Sequence, residues 1–371
     1  MRRIQLGIFL NFALACDMAE LFFTETHARL RTWLASWYAM FIVYASLSPF
    51  TGWREQGLSF IEMLDAPLML TYTAFDTAIN FLSYLPFGFL TVTALRARYS
   101  MLPSLILGLC LGIVLSASME YLQMYLPARV SSNMDMLSNS TGALLGGLLA
   151  ANIASWNWFV RLARWRSVFF HQGKEMDFGL ALLVLWMFGQ INPSLPMLGN
   201  VFIGDVARQP FALIPRIPFN GWESCAVALN LLMLGILMLT LLRASRNIVT
   251  VLPIILCAVA LAKFITAAVL LKSWALLLWI NSEAMLGIFF GVGLLLVLWR
   301  SRAALIVFGA VIAGAYFVIV NFVIEGKNPA AAPFIYHWHY GHLLNYNGLA
   351  QTITLIFPLL LLWHLWRIRE I

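Results

Sequence analysis

The feature that most constrains this chain is the recurrence of apolar runs long enough to cross a bilayer. They fall at about 33–50, 73–95, 101–126, 134–154, 177–195, 222–242, 248–271, 273–299, 303–324 and 348–366. About 20 apolar residues form a helix as long as the hydrocarbon layer is thick. In lipid, moreover, a helix is one of only two ways to satisfy every backbone N–H and C=O. The runs therefore predict an all-α polytopic membrane bundle of about ten transmembrane helices. Composition agrees: 62% of the 371 residues are hydrophobic, 11% are charged and the mean hydropathy is +0.85. Soluble domains are nearer half apolar and a quarter charged, so a soluble enzyme is excluded.

The basic residues give the orientation. With the first run entered from the cytoplasm, 16 of the 23 Lys and Arg residues fall on the cytoplasmic side, six on the other, and Lys263 in mid-span. The positive-inside rule then predicts both termini in the cytoplasm. It also removes nucleic acid as a partner despite the net charge of +7, because pairs such as Arg96/Arg98, Arg243/Arg246 and Arg300/Arg302 mark span ends. Residues 1–32 read as a cytoplasmic or interfacial leader, although the stretch up to Cys16 loosely resembles a lipoprotein signal. Residues 33–155 form a four-helix unit, 156–176 a basic cytoplasmic linker and 177–371 a six-helix unit. None of the four cysteines has metal-binding or redox spacing.

The polar residues of the first unit converge on one membrane face. Asp76 and Asn80 are four apart near the outer end of the second span. Glu120 and Gln123 come to the same level at the end of the third, Arg129 occupies the short turn 127–133, and Asp135 and Asn139 begin the fourth. Thr73-x-x-Asp76 and Ser132-x-x-Asp135 also read as capping boxes. Glu120 has no such explanation within its own helix, because a carboxylate near a helix C-terminus is disfavoured by the dipole. Ionisable groups inside a membrane mark functional sites by default, and Glu120 is the residue singled out here.

The ordered set Asp76-x3-Asn80-x5-Pro86-x-Gly88, Glu120-x2-Gln123-x3-Pro127-x-Arg129 and Asp135-x3-Asn139-x2-Gly142, with Ser48-Pro49-Phe50 ending the first span, resembles the VanZ-like family over roughly residues 33–155. Members of that family are bacterial inner-membrane proteins, and its namesake is associated with resistance to the glycopeptide antibiotic teicoplanin. The resemblance implies a related location and a cell-envelope setting, but no settled reaction. Residues 177–371 lie outside it.

In the second unit Lys263 and Glu283 are expected to meet as an intramembrane ion pair between antiparallel spans. Asn230, Asn281 and Asn321 read as interhelical hydrogen-bonding groups. His337, His339 and His342 alternate with aromatics, which suits an interfacial belt rather than a metal site. Gly-x3-Gly pairs at Gly108/Gly112, Gly142/Gly146 and Gly287/Gly291 suit close helix packing. No nucleotide loop, H-E-x-x-H or Pro-Ser-Gly-His run is present, which excludes an ATP-driven pump.

The leading expectation is a protein that binds a membrane lipid or lipid-linked envelope ligand at an outward-facing site of Asp76, Asn80, Glu120, Gln123, Arg129, Asp135 and Asn139. No cofactor is implied, although a divalent cation would balance the outer acids. Two alternatives stand beside it: an enzyme acting on a lipid phosphate or glycosyl headgroup, with Glu120 or Asp135 as base or metal ligand, and a secondary transporter coupled through Lys263 and Glu283.

Overall fold

A computed structural model of the chain describes residues 25–48, 50–57, 59–68, 74–152, 157–203, 219–298, 302–324, 335–336 and 342–369. Among these, twelve α-helices are present and extended pairing is confined to two isolated bridges. Every one of the ten apolar runs carries a helix. Six helical stretches are long and apolar enough to cross a membrane: Thr77–Leu95, Met101–Gln123, Gly221–Leu241, Ser245–Leu270, Ala304–Val323 and Gly348–Ile368. The chain divides into two compact units, the first comprising Met1–Val168 with Gln172–Asp177 and the second Phe169–His171 with Phe178–Ile371.

The first unit contains α1 (Glu25–Leu47), α2 (Phe60–Asp65), α3 (Ala74–Leu95), α4 (Met101–Gln123), α5 (Asn133–Asn152) and α6 (Asn157–Phe169). Its tightest crossing is α3 on α5. A Cβ at Gly142 would lie 2.2 Å from the Phe81 carbonyl oxygen, and one at Gly146 would lie 2.0 Å from that of Leu85. Only glycine lets the backbones approach so closely, as the small-residue spacing requires. On α4, Ser104, Gly108, Gly112, Ser116 and Glu120 recur every four residues and form one buried stripe. The opposite face exposes Leu102, Ile106 and Val114, the pattern of a helix packed on one side and in lipid on the other. Tyr84, Phe87, Met119, Leu126 and Ala143 fill the core with Ile42 and Leu47 of α1.

The second unit contains α7 (Lys174–Gln190, whose first turn belongs to the first unit), α8 (Gly221–Leu241), α9 (Ile248–Leu270), α10 (Ser282–Leu298), α11 (Arg302–Val318) and α12 (His342–Ile368). A π turn, Ile319–Val323, extends α11. Apolar on all sides, α8 is almost wholly buried and serves as the unit's central helix. After α7 the chain leaves helical geometry, and residues 192–202 are buried without being a helix. Irregular backbone at such depth must be satisfied by protein. Lys263 Nζ donates to the carbonyls of Asn192 (2.5 Å), Leu195 (2.9 Å) and Pro196 (3.5 Å). Asn230 Nδ2 donates to Leu198 O (2.9 Å), and Glu223 Oε1 accepts from the backbone N–H groups of Asn200 (2.6 Å) and Val201 (3.2 Å).

These bonds correct the expected ion pair. Lys263 and Glu283 do not pair: Glu283 accepts from the Asn220 N–H (3.3 Å) and from Ser282 Oγ (2.8 Å). The cause lies in the 273–299 run. It begins with a one-turn 3-10 helix, Ser273–Ala275, and a turn, and α10 starts only at Ser282. Glu283 is therefore in a first helical turn, where an acid suits the dipole, and not ten residues into a span. Among the asparagines, Asn230 does bridge elements, accepting from Trp186 Nε1 (2.8 Å). Asn281 instead caps α10 at Ala284 N (2.8 Å), and Asn321 bonds back to Phe317 O (2.8 Å) within its own helix. His337 and His339 lie outside the described residues, as does the side chain of His342.

Candidate functional site

At the end of the first unit where α4 finishes and α5 begins, the buried stripe of α4 terminates in Glu120, which is 3% exposed. Its Oε2 accepts from the Ser132 backbone N–H at 2.9 Å, and its carbonyl accepts from Ser131 Oγ at 2.7 Å. Ser132 immediately precedes α5, and its own Oγ accepts from Met134 N (3.1 Å). Half of the predicted capping box is thus formed within the chain segment, while the other half is supplied by Glu120 from the preceding helix. The bend at 124–132 folds α5 back on α4 and creates this contact. The hydrogen bond to the Glu120 carboxylate among the described residues is this one, at Oε2.

One turn below Glu120, Ser116 Oγ accepts from Asn139 Nδ2 at 3.0 Å. Asn139 is 5% exposed and its Oδ1 has no partner. From α3, Tyr84 brings a buried hydroxyl beside Ser116 and into the field of Glu120 without seating it in a hydrogen bond. Asp135, half-buried in the first turn of α5, lies within electrostatic range of Glu120. Asn80, half-buried, is one turn before Tyr84 on α3. The close α3–α5 crossing at Gly142 and Gly146 brings these two helices together.

Two of the expected residues do other work. Arg129 donates from one nitrogen to the carbonyls of Ala45 and Ser48, both at 2.9 Å, and Gln123 Nε2 donates to Ser46 O at 2.9 Å. Together they satisfy the last carbonyls of α1, which a helix C-terminus leaves without partners. Arg129 is partly buried there, and desolvation lowers its pKa from the ordinary value. It pairs with neither Glu120 nor Asp135; among the described residues the one ion pair is Arg166–Asp177. The side chain of Asp76 lies outside the described residues, and among the rest no group of three metal-ligating side chains forms.

The assembled site is therefore rich in acceptors: Glu120 Oε1, Asn139 Oδ1 and the carboxylate of Asp135, with the Tyr84 hydroxyl able to donate or accept. Residues 10–155 match the VanZ/LLP1 family model. The matched region spans α1 through α5 and so includes every side chain of the site. The helices from α6 onward fall beyond the match. Comparison with curated proteins and with solved structures gave no match. Ser116 and Tyr84 had not been singled out as site residues in the sequence. Their signal was spacing: each stands four residues from a residue that was, Glu120 and Asn80 respectively.

Proposed function

We propose that the VanZ/LLP1 region binds an amphipathic or lipid-linked envelope ligand whose headgroup offers hydrogen-bond donors, hydroxyls or an ammonium, at the outward end of α3, α4 and α5. The observation that carries this reading is Glu120. A carboxylate 3% exposed, at the end of a buried stripe of serines and glycines, is costly unless something satisfies it. Ser132 satisfies one oxygen, and the ligand would satisfy the other. Asn139 Oδ1 and Asp135 add acceptors beside it. The exposed apolar side chains of Tyr121, Val130 and Leu137 border the site, where an acyl or prenyl chain would lie. Since Arg129 is committed to α1, the site suits donors of hydrogen bonds better than it suits a phosphate. Resistance of the kind associated with the family's namesake is one setting in which such binding would act.

A second reading has its own observation. Glu120 and Asp135 are two carboxylates in one another's field, the arrangement that acid–base transfer at a glycosyl or ester headgroup uses. Chemical conversion of the bound ligand would favour it over binding alone. The transporter reading loses the Lys263–Glu283 pair on which it stood.

The reading places the protein in a bacterial inner membrane with ten spans and both termini in the cytoplasm. Reporter fusions after Arg98, Lys174, Arg246 and Arg302 are expected to signal cytoplasm, and fusions within 204–218 and 326–346 the opposite side. An outside signal at Lys174 would contradict the ten-span arrangement, because Arg161, Arg164 and Arg166 share its segment. The ligand itself is tested by native mass spectrometry of the purified full chain. One defined headgroup class should be retained at about one per chain; a mixture mirroring bulk lipid would contradict specific binding.

A further inference from the structure

In the second unit one carboxylate is held in a way that its structural role does not require. Glu223, in the first turn of α8, is 2% exposed, and its Oε1 accepts from the N–H groups of Asn200 (2.6 Å) and Val201 (3.2 Å). A neutral glutamine oxygen would accept both bonds with no charge to bury. The other oxygen, Oε2, is buried without a hydrogen-bond partner. Asn200, 5% exposed, meets this carboxylate with its backbone, while its Oδ1 accepts from the Tyr316 hydroxyl of α11 at 2.8 Å. The Nδ2 of the same amide is buried and unpartnered. So is the hydroxyl of Ser224, the next residue of α8. Buried polar groups without partners are rare, and three of them on two consecutive residues and a residue bonded to one of these mark a place where something further binds.

The charges around Glu223 select the occupant. Asn220 ties it to a second acid: the Asn220 side chain accepts from the Glu223 N–H (3.2 Å), and the Asn220 N–H donates to Glu283 Oε1 (3.3 Å). The cation is Lys263, which donates to the carbonyls of Asn192, Leu195 and Pro196 in the segment that Glu223 also holds. Among the described residues joined by these bonds, two carboxylates and one ammonium leave one negative charge. One monovalent cation balances it, whereas a divalent ion would overshoot. Hard cations take oxygen ligands. Glu223 Oε2 and Ser224 Oγ are two such oxygens, and a half-turn of the Asn200 amide presents a third while its nitrogen donates to the Tyr316 oxygen. We propose that Glu223, Ser224 and Asn200 bind a monovalent metal cation, with sodium as the type, where α8 begins beside the irregular segment 192–202. Irregular backbone beside helix ends is where membrane helices hold such ions. This site lies in the other unit from the one at Glu120 and is independent of it.

The test uses the full chain in neutral detergent, with sodium chloride exchanged for choline chloride at constant ionic strength, followed by thermal unfolding and calorimetric titration. Sodium is expected to raise the unfolding temperature with saturation and to bind at about one ion per chain. Glu223→Gln keeps an acceptor for the Asn200 and Val201 N–H groups, so it should fold, and it should weaken sodium by about ten-fold or more. Glu62→Gln, which removes an exposed acid of α2, should leave the sodium affinity unchanged. Protons compete for the same carboxylate, so the half-saturating sodium concentration of the wild type should rise between about pH 8 and about pH 5. That measurement carries the proposal if Glu223→Gln does not fold. Equal unfolding temperatures in sodium and choline would overturn it. So would an unchanged sodium response in Glu223→Gln, or a half-saturating concentration that does not move with pH. A larger stabilisation by calcium chloride at the same ionic strength would overturn the assignment to a monovalent ion.

Discussion

Lys263→Met is expected to destabilise the second unit more than any other single apolar substitution of a polar side chain there. The Lys263 ammonium is 0% exposed and donates to three carbonyls of the buried segment 192–203. Methionine fills a similar volume but returns no donor, so these carbonyls lose their partner where water does not reach. Each orphaned group costs about 1–3 kcal/mol, so a total of roughly 3 kcal/mol or more is expected. For a unit of this size that corresponds to a fall of about 10 °C in Tm. Glu283→Gln should have a small effect, because Asn220 N–H and Ser282 Oγ still find an acceptor. The double variant should equal the sum of the singles to within about 0.5 kcal/mol, as for residues not in contact. Recovery of stability in the double variant would mean that the two side chains do interact.

The contrast between the two units shows what the sequence could and could not convey. Helices were visible because 18 or more apolar residues in a row have few alternatives in lipid, and the glycines at 142 and 146 announced the crossing that GLY-x3-GLY spacing permits. Helical spacing places Asp135 with Asn139 and Ser116 with Glu120 on common faces, since i and i+4 share a face whatever the tertiary fold. The partners of Arg129 and Gln123 are not legible in the sequence, because the carbonyls they serve are more than 70 residues away, at Ala45, Ser46 and Ser48. Charge complementarity suggested acids as the partners of Arg129, whereas a helix C-terminus was nearer. Lys263 and Glu283 were misjudged for a related reason. The run 273–299 has the hydropathy of one span, which masks the local start signal of Asn281 as cap and Glu283 in the first turn of a helix beginning at Ser282. Pro193, Pro196 and Gly199 do mark the end of a helix within residues 192–203, but nothing local tells that the irregular segment is buried.

Glu120→Gln is the second expected large effect, and it separates binding from folding. Glutamine keeps one carbonyl oxygen, which can still accept the Ser132 N–H, so the cap on α5 survives. What is lost is the negative charge and the second acceptor. Glu120→Ala removes the cap as well and should lower stability by about 1–2 kcal/mol, the usual effect of losing an N-terminal cap. Neither substitution touches the Gly142 and Gly146 crossing or the carbonyls that Arg129 holds.

The most direct measurement is therefore a comparison of wild-type and Glu120→Gln protein, purified in parallel, in which the retained ligand is quantified by native mass spectrometry and Tm is recorded on the same samples. A ligand-binding carboxylate predicts at least a ten-fold loss of the species that wild type retains, because a hydrogen bond to a charged partner is worth about 1.5–3 kcal/mol, with Tm in ligand-free detergent nearly unchanged. Equal ligand retention by the two proteins would contradict the account and leave Glu120 as the cap of α5 alone.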